Sequence, residues 1–484
     1  MTSTARLSPR FSAIAAAFAF AFALAGGAPA QAATQAVAQA PVTAAPGTAM
    51  MPARAETAAL VDSVARAYFN SQRAPGIAVA VVRGSDTLLM RGYGLADRAA
   101  GRAVTPSTVF RLGSLTKQFT SAVVLQLADE GKFSLDDSIG AHVRGLPAPM
   151  RGAAVRHLLN HTSGVANFTA VPAYVGTWRR TLTGHDIVAL VADKPLDFAP
   201  GSAFRYSNTG YVLLGMLIES ATGQPWHEAV TQRFGARLGV RSLRACPTTP
   251  TPSTDALGYE PAGADGAWAD TPFLDMSIPH AAGALCATAP DFVTWQRALH
   301  GGRVLPAASY ARMTTPEGAG GRYGFGINRE ALGGRTVFIH TGGVNGFSTV
   351  ALRVPDADLD VVVLTNSGAA DPARLAGLLA QAALGIPLPV IPPTLPLTAV
   401  DRDRYVGTYG FGPARLPFHI RADGARITSQ LQGQGVIPLN HLGNHTFGAD
   451  FDPNVRITFT IVDGQAVKFT LLQGGRTMEA VRIP

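Results

Sequence analysis

Residues 110–131 read FRLGSLTKQFTSAVVLQLADEG. Apolar positions crowd together after Gly113, and Gly131 closes the run, which is the pattern of a buried helix. Ser114 and Lys117 stand three residues apart, so a helical course puts both side chains on one face. A serine hydroxyl is a poor nucleophile unless a neighbour accepts its proton. A lysine can accept that proton when its surroundings lower its pKa, and an arginine cannot. The chain holds 40 Lys and Arg, yet only Lys117, Lys132, Lys194 and Lys468 are lysines. A lysine one turn from a serine is therefore a marked choice here. A Ser-x-x-Lys tetrapeptide also occurs on solvated helix surfaces, so the reading needs further signals.

Two such signals lie downstream. Residues 198–211, FAPGSAFRYSNTGY, place Tyr206-Ser207-Asn208 on a loop just before an apolar helix that closes at Gly223. In an extended loop Tyr206 and Asn208 point the same way. A cationic lysine nearby would lower the tyrosine's pKa and suit it to moving a proton. The asparagine could hold the lysine and a substrate carbonyl in register. Alternatively, Ser207 or Asn208 caps the helix and Tyr206 is a core aromatic. Residues 338–349, FIHTGGVNGFST, place His340-Thr341-Gly342-Gly343 at the end of an apolar strand. Glycines there let a substrate approach the backbone, and a free N–H on such an edge can stabilise an oxyanion. A plain glycine-rich hairpin would read the same way.

In this order and combination the three motifs resemble the penicillin-recognising serine hydrolases. The resemblance is to the branch holding class C β-lactamases, DD-peptidases and related esterases. LLNHTSG (158–164), AAGALCATAPDF (281–292) and YGFGI (323–327) add to it, and it covers about residues 56–385. It implies an α/β (α+β) fold: an antiparallel sheet flanked by helices, with a helical lobe. It implies that Ser114 is acylated, that Lys117 takes or relays its proton, and that Tyr206 is the general base. Asn208, His340 and Thr341 would bind substrate, and the backbone N–H groups of Ser114 and Gly343 would form the oxyanion hole. No metal or cofactor is implied. His340 stands where the class C β-lactamases carry lysine. A histidine is largely neutral at pH 7, so it is a weaker partner for a β-lactam carboxylate.

The rest of the chain is organised around that domain. Residues 1–30 have a basic start (Arg6, Arg10), an apolar stretch and small-residue cleavage sites at 28–32, as in a secretory signal peptide. A periplasmic or secreted protein is expected, with no stable membrane insertion after cleavage. Residues 31–55 read as a flexible linker, 386–400 as a stiff proline-rich connector, and 401–484 as a small antiparallel β domain, barrel or sandwich. The last segment resembles lipocalin-like domains appended to some family members. Export makes a bridge between Cys246 and Cys286 possible, and spacing leaves bridge or free thiols open.

The net charge is +8, but its arginines are scattered, without a basic stripe interleaved with aromatics, so nucleic-acid binding has no support. His157 and His161 are four apart but lack the glutamate of a zinc-protease helix, and packing or capping roles suit them better. No Gly-x-Ser-x-Gly elbow and no phosphate loop is present. An exported serine hydrolase using an acyl-enzyme on small esters or amides is the leading expectation. A DD-peptidase or D-amino-acid peptidase, a weak β-lactamase, or a catalytically weak protein that captures cell-wall peptides are the alternatives. Turnover of small p-nitrophenyl esters or peptides should exceed that of cephalosporins; faster cephalosporin hydrolysis would refute the inference drawn from His340.

Overall fold

The computed structural model describes residues 54–71, 74–262, 267–389, 394–412, 415–431, 436–449, 455–473 and 476–484. The signal-peptide reading and the linker through residue 53 lie outside the described residues. Two compact units are present, one running to Leu388 and one beginning at Pro389.

In chain order, the first unit holds strands β1 (Gly76–Arg83), β2 (Asp86–Asp97), β3 (Arg102–Ala103), β4 (Phe110–Arg111), β5 (Arg244–Ala245) and β6 (Tyr259–Pro261). It continues with β7 (Trp268–Asp270), β8 (Leu285–Ala287), β9 (Asn328–Leu332), β10 (Arg335–Val344), β11 (Phe347–Val354) and β12 (Leu359–Thr365). Seven of these form one antiparallel sheet in the order β3-β2-β1-β12-β11-β10-β9. The two ends of the unit meet at its centre, where Val79 of β1 pairs with Val363 of β12.

β1, β11 and β12 are buried at nearly every position because both faces of the sheet are covered. Along β1, Ala78, Ala80 and Val82 face the helical lobe, while Ile77, Val79 and Val81 face the opposite core. That second core also takes Val61 and Ala65 from the helix Arg54–Asn70, and Leu375 and Leu379 from the helix Pro372–Leu384. The first of these helices begins at Arg54, inside the stretch read as linker. The second starts and stops as its sequence dictates. Asp371 accepts the Arg374 N–H as its cap, and Gly385, at φ 68°, closes it in the left-handed region.

The lobe packs around the helix Thr116–Asp129, where Phe119 stacks on Trp295 with ring centroids 4.0 Å apart and meets Phe292 edge-on. Beside it, β4, β8 and β5 form a small sheet. Cys246 and Cys286 are joined by a disulfide, Cα atoms 5.1 Å apart, which ties the end of β5 to β8.

In the second unit, eight antiparallel strands close into a barrel: β13 (Gly407–Phe411), β14 (Leu416–Asp423), β15 (Arg426–Leu431), β16 (Ile437–Gly443), β17 (Thr446–Ala449), β18 (Arg456–Val462), β19 (Gln465–Gln473) and β20 (Arg476–Ile483). Buried Tyr405, Tyr409, Phe418, Phe447, Phe459 and Phe469 pack ring against ring inside it. These rings make a side-chain core where a lipocalin-like reading would look for a ligand cup. The connector is also less free than its prolines suggest. Leu395 N–H reaches the His441 carbonyl at 2.8 Å, and Thr398 caps a short helix, Ala399–Asp403, by accepting the Asp401 N–H.

The disulfide closes a long loop of chain, so its removal relaxes the unfolded state. The pair Cys246→Ala and Cys286→Ala should lower unfolding stability by about 2–4 kcal/mol in denaturant titration. An unchanged midpoint would show that the hydrogen bonds of β5 and β8 suffice.

Candidate active site

The turn that carries Ser114 is a short 3-10 segment, Gly113–Leu115, running directly into the helix Thr116–Asp129. Gly113 sits at φ 55°, a conformation that favours glycine. Close approach fixes it as well: a Cβ there would lie 2.7 Å from the Gly343 nitrogen. Ser114 is partly exposed, while Leu115, Thr116 and Lys117 are fully buried. The turn thus presents one hydroxyl at the surface of an otherwise apolar element.

Lys117 has three hydrogen-bond partners: Ser114 Oγ at 3.1 Å, Asn208 Oδ1 at 2.9 Å and the Ala282 carbonyl at 2.8 Å. Its Nζ also lies 4.8 Å from the centre of the Tyr206 ring. Burial away from water pushes its pKa well below the usual lysine range. Asn208 is the first residue of the helix Asn208–Thr222, and its own N–H is held by Asn167 Oδ1 at 3.1 Å. Ser207 is extended (φ −136°, ψ 117°), which turns Tyr206 and Asn208 to the same side.

Tyr206 hydrogen-bonds Ser114, and its own titration moves upward. Burial is the larger effect, and the serine contact only partly opposes it. A pKa lowered by cationic Lys117 was the expectation from sequence. It fails because the same burial that traps the phenol also favours the neutral amine.

His340 is 3% exposed and both ring nitrogens are engaged within the protein. Nδ1 lies 2.6 Å from the Thr341 carbonyl, which can only accept, so Nδ1 carries the proton. Nε2 therefore accepts, from the Tyr323 hydroxyl at 2.8 Å. Burial first, then Lys117, push the imidazole down to about 3. Thr341 is partly exposed and Gly343 is exposed.

β9 pairs with β10 only as far as Ile339, so the segment His340–Val344 has no partner in β9 on that side. The two glycines have different tasks. A Cβ on Gly342 would lie 2.0 Å from the Leu112 carbonyl, so it is the chain's own Ser114 turn, and not a substrate, that approaches there. A Cβ on Gly343 would meet nothing within 4 Å.

Sequence reasoning missed several residues that hold these groups. His161 accepts the Ser207 N–H through Nδ1 at 3.2 Å, and its ring centroid is 4.1 Å from that of Tyr206. The helix Val155–Leu159 ends before His161, which sits at φ 60°, so His157 and His161 do not share a helix face. Asn167, Ala282 and Tyr323 had no spacing signal of their own; Ala282 and Tyr323 fell inside family-like phrases, and Asn167 lay three residues past another.

The sequence matches the Beta-lactamase family over residues 61–384. A D-aminopeptidase of Gluconobacter oxydans (strain 621H) is 31% identical over 320 residues, 65% of this chain and 59% of the relative, so the match spans about three fifths of that protein. Among solved structures, a D-stereospecific amidohydrolase from Streptomyces sp. is 30% identical at a TM-score of 0.59, covering 69% of this chain and 98% of the other. The D-amino acid amidase from Ochrobactrum anthropi SV3, complexed with L-phenylalanine amide, is 26% identical at a TM-score of 0.60, covering 68% and 98%.

The glycine geometry yields a paired test. Gly342→Ala must push the Ser114 turn off β10 and should cut kcat/KM by about a hundredfold, the usual cost of a misplacement near 1 Å. Gly343→Ala should leave the melting temperature unchanged. Equal activity in Gly342→Ala and wild type would disprove the role given to this contact. With sequence and fold in agreement, the chain belongs to the Beta-lactamase family.

Proposed function

We propose that this protein is a hydrolase of D-amino acid amides or short D-peptides that works through an acyl-enzyme on Ser114. The observation that carries the proposal is the partner set of Lys117. Asn208 Oδ1 and the Ala282 carbonyl can only accept, so a neutral amine spends both of its N–H groups on them. The remaining lone pair is left for the Ser114 hydroxyl, which can donate. Burial supplies the neutral amine.

The steps follow from that arrangement. Lys117 takes the Ser114 proton as Oγ attacks the substrate carbonyl. The N–H groups of Ser114 and Gly343 receive the oxyanion. Tyr206, still carrying its proton, gives it to the leaving amine and recovers one from Lys117. Water then enters and gives a proton to the now neutral Lys117 as its oxygen attacks the acyl carbon, and Lys117 returns that proton to Ser114 Oγ as the acid leaves.

The names of the relatives, a D-aminopeptidase, a D-stereospecific amidohydrolase and a D-amino acid amidase, support D-amino acid amides over the ester substrates first expected. We also propose export to the periplasm or medium, supported by the pattern of residues 1–30 and by the disulfide.

A fluorophosphonate probe should label the protein and fail on Ser114→Ala. D-alanine p-nitroanilide should be cleaved faster than its L-isomer; the reverse preference would overturn the substrate assignment. Because the base is a neutral amine, kcat/KM should rise with pH through the depressed Lys117 pKa. Lys117→Arg, which cannot lose its proton, should lower kcat/KM by about 10²–10⁴-fold.

A further inference from the structure

Behind the Ser114–Lys117 pair runs a hydrogen-bond chain that none of the acyl-transfer steps uses. Tyr211 Oη donates to the Leu159 carbonyl at 2.7 Å and lies 3.1 Å from Ser121 Oγ. Tyr323 lies beside Tyr211, and its own hydroxyl donates to His340 Nε2 at 2.8 Å. Nδ1 of His340 is spent on the Thr341 carbonyl. This imidazole, one residue before the segment Thr341–Gly343 that would flank a bound substrate, therefore has no nitrogen free for a ligand.

We propose that Tyr323 is a specificity-determining residue: by donating to Nε2 of His340 it withholds that imidazole from substrate carboxylates. The enzyme thereby disfavours acyl donors that carry a carboxylate beside the scissile bond and accepts those that do not. This deepens the D-amino acid amide reading and rests on it. The titratable groups facing the Tyr323–His340 pair are Lys117 from the nucleophile helix, His161 from the loop after Leu159, and Tyr206 and Tyr211 at the head of the helix Asn208–Thr222. His161, Tyr206 and His340 pack around the Tyr323 ring, with centroids 4.7, 6.2 and 5.6 Å away.

Tyr323→Phe removes the donor and keeps the ring. Nε2 then lacks its partner, can take a proton at mildly acidic pH, and can offer it to a carboxylate. The measured quantity is the acylation rate of a fluorescent penicillin, which carries a carboxylate, divided by kcat/KM for D-alanine p-nitroanilide, which does not. In Tyr323→Phe this ratio should rise by about tenfold or more between about pH 8 and pH 5.5, the gain of one charge-assisted hydrogen bond. In the wild type it should stay flat.

The second readout needs no turnover. The ¹⁵N-imidazole spectrum of the wild type, with His340 identified by its loss in His340→Gln, should show a neutral Nδ1–H ring down to about pH 5. A wild-type His340 that titrates near its ordinary value overturns the inference, as does a ratio in Tyr323→Phe as flat as in the wild type. Should Tyr323→Phe fail to fold, the wild-type ratio and spectrum still decide. A protein that is labelled at Ser114 but shows a titrating His340 refutes this inference alone. Loss of all labelling refutes the acyl-transfer reading and leaves the spectrum to be judged separately.

Discussion

The structure depends on an amine held without water. Lys117 is fully buried near the start of the helix Thr116–Asp129, and its hydrogen-bond partners are one hydroxyl, one amide oxygen and one carbonyl. An ammonium in that setting would lack a counterion, and the low local polarity converts it to a base. Three distant segments must meet for this to happen: the turn at Gly113, the helix entry at Ser207-Asn208, and the short helix His280–Gly283 that offers the Ala282 carbonyl. The disulfide begins three residues after Gly283 and fixes the strand that follows it. The setting of the Ser114–Lys117 pair is therefore a property of the packing of the lobe, not of the tetrapeptide that contains it.

Glycine, more than any charged group, sets the distance between the Ser114 turn and the strand beside it. Gly113 and Gly342 face each other's segments, and a methyl group at either would collide with backbone, which cannot swing aside as a side chain can. The Thr349 hydroxyl reinforces the seam by donating to the Leu112 carbonyl at 2.8 Å. A methyl group on Gly343, one residue on, would meet nothing within 4 Å, although its backbone borders Gly113. A single dipeptide thus has one member serving the fold and one left open towards the cleft.

Much of this was legible in the sequence where a local rule governs. The ends of the helix Pro372–Leu384 and the strands Phe347–Val354 and Leu359–Thr365 follow from capping residues and apolar runs. Ser114, Lys117, Tyr206 and Asn208 were legible as a set only through the family resemblance that their motifs carry in that order. What was not legible depends on distance through space. The titration of Tyr206 was inferred from a neighbour's charge, and burial reversed its sign. His161 read as half of a helical pair, whereas its positive φ takes it off the helix and under Ser207. Tyr323 and His340 are seventeen residues apart and meet only because the chain reverses between them. In the second unit the alternation gave strands and turns, but closure into a barrel and the filling of its centre by rings required the pairing of β13 with β20.

The pairing of Val79 with Val363 at the middle of the sheet has a consequence for how the molecule is made. The first strand waits for its partner until nearly three hundred further residues have been synthesised. Closing so large a loop is slow, and the intervening apolar segments stay exposed meanwhile. The central pairing of the first unit can therefore form only once the chain has been made as far as Thr365, and everything between must wait in a state that neither aggregates nor pairs wrongly.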